Sequence, residues 1–74
     1  MIRFTLDFKG KTTDIQLDEK QSIINLIGVL KESGLVGDKE EWSCCKSVLQ
    51  RRVISVYKTF EEEKIFTGDI IRFE

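Results

Sequence analysis

The stretch Ile65-Phe66-Thr67-Gly68-Asp69-Ile70-Ile71-Arg72-Phe73-Glu74 decides the fold. Gly68-Asp69 marks a turn, and the residues after it alternate as a strand does. Ile71 and Phe73 fall on one face, Ile70, Arg72 and Glu74 on the other. A strand patterned in this way needs a sheet to join and a core to cover. The opening of the chain supplies a matching pattern: Ile2, Phe4, Leu6 and Phe8 alternate with Arg3, Thr5, Asp7 and Lys9. That two-residue period buries one face and leaves the other wet. Gly10-Lys11 is a turn signal, and Thr13, Ile15 and Leu17 continue the alternation, so Ile2 to Leu17 is expected to form a β-hairpin.

The period then changes from two to that of a helix. Ile23, Leu26, Ile27 and Leu30 lie three and four apart on one face. Ser22 is the expected N-cap, its hydroxyl free to accept an orphan backbone N–H. Lys31 sits where the helix dipole favours a cation. Gly34 can take the left-handed conformation that stops the helix, with Leu35 folding back as the accompanying apolar contact. A helix over 22–33 follows. Gly28, costly in a helix interior by about 1 kcal/mol, is expected to let the helix approach the sheet closely.

Val36 to Glu41 reads as a polar loop, and Trp42 to Leu49 as a third strand with Trp42 and Cys44 inward and Ser43, Cys45 and Ser47 outward. Gln50-Arg51-Arg52 is a turn and Val53-Ile54 a short fourth strand. Phe60 to Lys64 is a turn or short helical segment leading into the last strand. The order β-β-α-β-β-β predicts an α+β domain spanning residues 1–74, a mixed sheet packed on one helix around a shared core. Ile2, Phe4, Leu6, Ile15, Leu17, Ile23, Leu26, Ile27, Leu30, Ile71 and Phe73 are its expected buried residues.

Composition narrows the function. Seventy-four residues make one small domain, which buries only about 60–65% of its unfolded surface and has no room for a cofactor cavity beside the core. No cofactor is expected. A net charge of −1 does not favour nucleic acid or an anionic membrane. Histidine is absent, which removes the commonest general base and metal ligand. No apolar run approaches the roughly 20 residues of a membrane span. The chain opens directly on a strand pattern, so no secretory signal is expected. A soluble, cytoplasmic protein is expected. The adjacent Cys44 and Cys45 point to opposite faces of a strand, which disfavours a disulfide between them, and two cysteines without histidine cannot complete a zinc site. One buried and one surface thiol is the plain reading.

The order and punctuation of the whole chain resemble ubiquitin, a β-grasp fold. More specifically, the chain resembles the small bacterial ubiquitin-like proteins of the YukD and EsaB family, cytoplasmic accessory proteins of the Gram-positive type VII secretion system. The matching residues are Ile2-x-Phe4-x-Leu6-Asp7-Phe8, Asp14-Ile15-x-Leu17, Ile23-x-x-Leu26-Ile27, Trp42 at the third strand, Val53-Ile54-Ser55, Phe60, and Ile65-x-x-Gly68-Asp69-Ile70-Ile71-Arg72-Phe73. The chain departs from the pattern in a slightly longer hairpin around Lys46 to Arg52, and in Lys64, where ubiquitin-like chains often place glycine or another turn former. The resemblance implies binding without chemistry: docking to a membrane-anchored component of the secretion machine from the cytoplasmic side. A chain that stops at Glu74, within the strand, is not expected to carry the Gly-Gly tail that conjugation or sulfur transfer needs.

In a ubiquitin-like sheet the last strand lies between the first and the third. Arg3, Thr5, Ser43, Cys45, Ile70 and Arg72 then share the outer face, and they are the candidate partner-binding residues. Ile70 is the odd member, an apolar residue facing outward with no core to fill. An apolar centre ringed by arginine resembles an interface hot spot; an ordinary wet face with one exposed isoleucine is the plainer alternative. The run Glu61-Glu62-Glu63 is read as a solvated turn rather than a cation site, since hard cations need more oxygen ligands in a defined loop. Lys46, Arg51 and Arg52 form a small basic hairpin tip that resists edge pairing or steers an acidic partner. Cys44 and Cys45 have no histidine to activate them, and no Gly-rich loop leads into a helix to cradle phosphate.

A non-catalytic, protein-binding accessory module is therefore expected, with no enzyme activity, no nucleic-acid partner and no direct membrane insertion. The alternatives are a ubiquitin-like module of another bacterial or phage system, or a β-grasp modifier or sulfur carrier lacking its tail. A homodimer stays open.

Overall fold

The computed structural model describes residues 1–37 and 39–73. Expectations that fall on Asp38 and Glu74, including the outward placement of Glu74, lie outside the described residues. Strand β1 spans Ile2–Phe8 and β2 spans Lys11–Leu17, paired antiparallel from Ile2↔Leu17 to Phe8↔Lys11. Lys9 and Gly10, at φ 51° and 90°, make the two-residue turn between them, the mirror-image turn whose twist suits a hairpin. The Asp7 carboxylate ties this turn down by accepting the Gly10 N–H at 3.0 Å.

Helix α1 spans Ile23–Glu32. Ser22 caps it, its Oγ accepting from the Asn25 N–H at 3.3 Å. The helix ends as the sequence predicts: Gly34, at φ 82°, donates its N–H to the Lys31 carbonyl, and the Leu35 N–H reaches back to Leu30. The apolar contact that accompanies this stop differs from expectation. Leu35 points to solvent, and the next residue, Val36, enters the core instead. Gly28 faces away from the sheet, and a Cβ there would meet nothing within 4 Å. Close helix–sheet approach is therefore not its role.

Three short strands complete the sheet: β3 (Cys44–Ser47), β4 (Arg52–Ser55) and β5 (Ile70–Phe73). The five strands lie in the order β2-β1-β5-β3-β4, with β5 parallel to β1 and antiparallel to β3. The first and last strands thus meet at the centre of a mixed α+β sheet, and Leu6 sits beside Ile71 and Phe8 beside Phe73 on its inner side. Every expected core residue is buried except Ile15, which is half-buried on the outermost strand. Val36, Cys45, Ile54, Val56, Phe60 and Ile65 join that core from segments whose pattern does not announce them. Phe60 packs on Phe4 with ring centroids 5.2 Å apart. Trp42 closes one end of the core edge-on, 5.3 Å from Phe8 and 5.2 Å from Phe73.

Strand β3 runs opposite to its expected facing. Cys45 points inward opposite Ile54, and Ser47 inward opposite Ile71, while Cys44 is exposed. Trp42 does pack inward, but from the loop before the strand, so the alternation cannot be counted from it. No helix among the described residues is long and apolar enough to cross a membrane.

Candidate functional site

The strand register assembles the outer face of the sheet row by row. One row runs Thr12, Asp7, Arg72, Lys46, Val53 across all five strands. The neighbouring row runs Asp14, Thr5, Ile70, and Val48 adjoins it by donating its N–H to the Ile70 carbonyl at 2.9 Å. Arg3 lies one step further along β1, beside Gln16.

Of the six candidate residues, Arg3, Thr5, Ile70 and Arg72 share this face as expected. Ser43 is exposed immediately before β3. Cys45 does not belong to it: its side chain is buried against Ile54, and Cys44 takes the outward place. Burial, reinforced by the neighbouring Cys44 and Glu63, pushes the Cys45 thiol up to about 12, so it stays a protonated, inert core group. Ser47, expected to face outward, is fully buried. Its hydroxyl instead finds the Asp69 carboxylate inside the fold, which removes the cost of burying it.

The chemistry of the face also differs from the bare pattern. Arg72 is engaged by Asp7, its Nε 3.0 Å from Oδ2. The Thr5 hydroxyl donates to Asp14 Oδ1 at 3.0 Å. Ile70 is half-buried and is not the lone outward aliphatic residue: Val53, opposite Lys46, is 62% exposed. Sequence reasoning missed Val53 because Val53-Ile54 places two β-branched residues side by side, and neither Arg52 nor Ser55 says which one faces out. An open groove follows this part of the face, lined by Glu41, Trp42, Ser43, Cys44, Lys46, Val53 and Arg72, and Cys45 also borders it despite its burial.

The charged runs divide into separate duties. Glu62 forms a capping box with Thr59: each side chain accepts the other's backbone N–H, at 3.0 and 2.9 Å. Those bonds hold the Glu62 carboxyl below its ordinary range. Glu63 covers the free edge of β4 by accepting the Ser55 N–H at 2.6 Å, and Arg52 binds the Glu63 carboxylate and carbonyl. Only Glu61 of the three remains a simple solvated carboxylate on an exposed residue. Among the described residues no group of three or more Cys, Asp or Glu is placed to hold a metal ion. The basic tip is likewise split, since Arg52 turns to Glu63 and Lys46 joins the outer face, leaving Arg51 exposed at the turn.

No protein-family model matches the chain, and no curated protein matches it. Among solved structures it is similar to a de novo designed protein based on ubiquitin. The two share 19% identity at a TM-score of 0.73, over 99% of this chain and 85% of the designed one. At that identity the likeness concerns architecture: the fold is a ubiquitin-like β-grasp.

Proposed function

We propose that this domain is a non-catalytic protein-binding module that uses the outer face of its sheet. More narrowly, we assign it to the YukD and EsaB type of accessory protein, acting in the cytoplasm on a membrane-anchored component of a type VII secretion system. The supporting observation is the exposed Val53 beside Lys46, in an open groove that continues to Cys44 and Arg72. Full burial of a valine side chain supplies about 1.5–3 kcal/mol, and Lys46, which enters none of the ion pairs among the described residues, can pair with an acidic group of a partner. The motif matches in the opening and closing strands support the narrower assignment.

Val53→Asp is the cleanest test, because the side chain lies outside the core; Ile70 is half-buried and less suited. The variant should keep its circular dichroism and urea midpoint. It should lose binding to the purified cytoplasmic domain of the secretion system's membrane-anchored component, and secretion in the host should fall with it. A folded variant that binds and supports secretion like the parent would overturn the proposal.

A further inference from the structure

The two edges of the sheet differ. At one end β4 is covered: the Glu63 carboxylate accepts the Ser55 N–H, and Arg52 holds Glu63 in place. At the other end lies β2, which has no proline and no bulge in its register with β1. Strand β1 spends the Thr5 N–H and the Arg3 carbonyl on the β5 side, bonding Asp69 and Gly68. Its bonds to β2 are therefore made by Ile2, Phe4, Leu6 and Phe8, opposite Leu17, Ile15, Thr13 and Lys11. The N–H and carbonyl groups of Thr12, Asp14 and Gln16 then point away from the sheet. Among the described residues, no backbone hydrogen bond from outside the hairpin reaches them. An edge of this kind is a template for a further strand.

The side chains of β2 fit a second β2. Ile15 packs against the core yet stays half-buried, because the sheet ends at its strand. Pairing β2 antiparallel with itself, outward groups to outward groups, gives two-fold registers centred on Thr13, Asp14 or Ile15 that match most of the strand. The Asp14 centre sets two carboxylates directly opposite, which is destabilising. The Thr13 centre sets Ile15 opposite Lys11. The Ile15 centre sets Ile15 against Ile15 as a non-hydrogen-bonded pair, the kind whose side chains lie closest. It also places Asp14 opposite Gln16 and Thr13 opposite Leu17, so no like charges face each other. Lys11, which enters no ion pair among the described residues, then runs toward the Asp18-Glu19 end of the other copy.

We propose that β2 is a self-association edge: two copies of this chain pair their β2 strands antiparallel about Ile15, joining two five-stranded sheets into one with both helices on the same side. The self-complementary pairing and the incompletely covered Ile15 at its centre select a second copy over an unrelated extended chain. Edge pairing covers few side chains, so the association belongs to concentrated protein. The inference is independent of the Val53 reading. Val53 lies on β4, at the opposite edge, and the dimer leaves both Val53 grooves open.

Sedimentation equilibrium is the first test. The mass should rise from the 8.6 kDa monomer toward twice that value as protein concentration increases to about 1 mM. Gln16→Pro removes an outward N–H that the monomer does not use, and Ile15→Lys sets two cations opposite each other. Each should weaken association at least about tenfold, with the urea midpoint of dilute protein checking that the variant folds. Cross-linking reads the register. In a Cys44→Ser background, Ile15→Cys should form an intermolecular disulfide quickly with oxidised glutathione, and Thr13→Cys only at the rate of random collision. A constant monomer mass up to about 1 mM would overturn the proposal. So would equal cross-linking of the two cysteine variants, faster cross-linking of Thr13→Cys, or a dimer that survives both edge variants. A dimer lost in Val53→Asp would place the contact at the other edge and also overturn it. Monomeric protein whose Thr12, Asp14 and Gln16 amides shift in two-dimensional NMR on adding the cytoplasmic domain named above would make another protein the occupant, with the same result. Loss of self-association in Gln16→Pro with partner binding retained would leave both readings standing as separate contacts.

Discussion

Ser47 Oγ donates a 2.7 Å hydrogen bond to Asp69 Oδ2 in the interior of the fold, where neither residue is more than slightly exposed. The same carboxylate accepts the Gln50 side-chain amide and the backbone N–H groups of Leu49 and Ile70. One aspartate thus ties the end of β3 to the start of β5. It explains why an acidic residue follows Gly68 at the turn: with Gly68 at φ 97°, the chain swings Asp69 inward just before the strand begins.

Asp69→Ala should destabilise the domain by about 2–3 kcal/mol, because it leaves buried donors without their charged acceptor. Ser47→Ala should cost less. The two changes should be non-additive, with a coupling of about 1 kcal/mol or more in a double-mutant cycle measured by urea unfolding. Additive effects would mean that the hydrogen bond contributes little.

The two adjacent thiols should behave as separate groups. Cys44 is exposed and Cys45 is buried. A thiol reagent such as dithionitrobenzoate should modify Cys44 quickly and Cys45 only after denaturation. In Cys44→Ser, native protein should show no fast reaction. Fast labelling of that variant would place Cys45 outside the core.

Alkaline pH should expose the cost of ionising Cys45. Its ordinary value is 9.0 and burial moves it to about 12 in the fold. The unfolded chain therefore releases this proton first. The contribution is intact below pH 9 and is lost as pH rises from 9 toward about 12. Urea midpoints of Cys45→Val should fall less steeply than those of the parent between about pH 8 and pH 11. Parallel curves would show that this thiol is not the group responsible.

Lys64 stands where a glycine would suit the backbone, at φ 57°. A side chain in that left-handed region costs about 1–2 kcal/mol, against about 0.5–1 kcal/mol of extra chain entropy lost by glycine. Lys64→Gly should raise stability by about 0.5–1 kcal/mol in urea unfolding. The Gln50 bond to the residue 64 carbonyl needs no side chain and survives the change. A clear loss of stability would show that the lysine side chain contributes packing that outweighs the strain.

Much of this protein was legible without coordinates because its long elements repeat a period. Strand β1 alternates from Ile2 to Leu6, β2 does so at Ile15 to Leu17, and the helix carries four apolar residues on one face with a serine cap and a glycine stop. Local periodicity of that kind determines which side meets the core, whatever the core turns out to be. The element order and the outward placement of Arg3, Thr5, Ile70 and Arg72 followed from it. Strands β3 and β4 span four residues each, as β5 does, but lack its pair of large apolar residues at alternate positions, and their composition misleads: a polar serine is buried and a valine is exposed. Only the tertiary structure decided those facings, because Ser47 is held inside by Asp69, a partner 22 residues away. The cleft shared by Leu49 and Phe66 was hidden for the same reason. The two are 17 residues apart in sequence, and their meeting depends on β3 and β5 pairing antiparallel, which brings the end of one beside the start of the other.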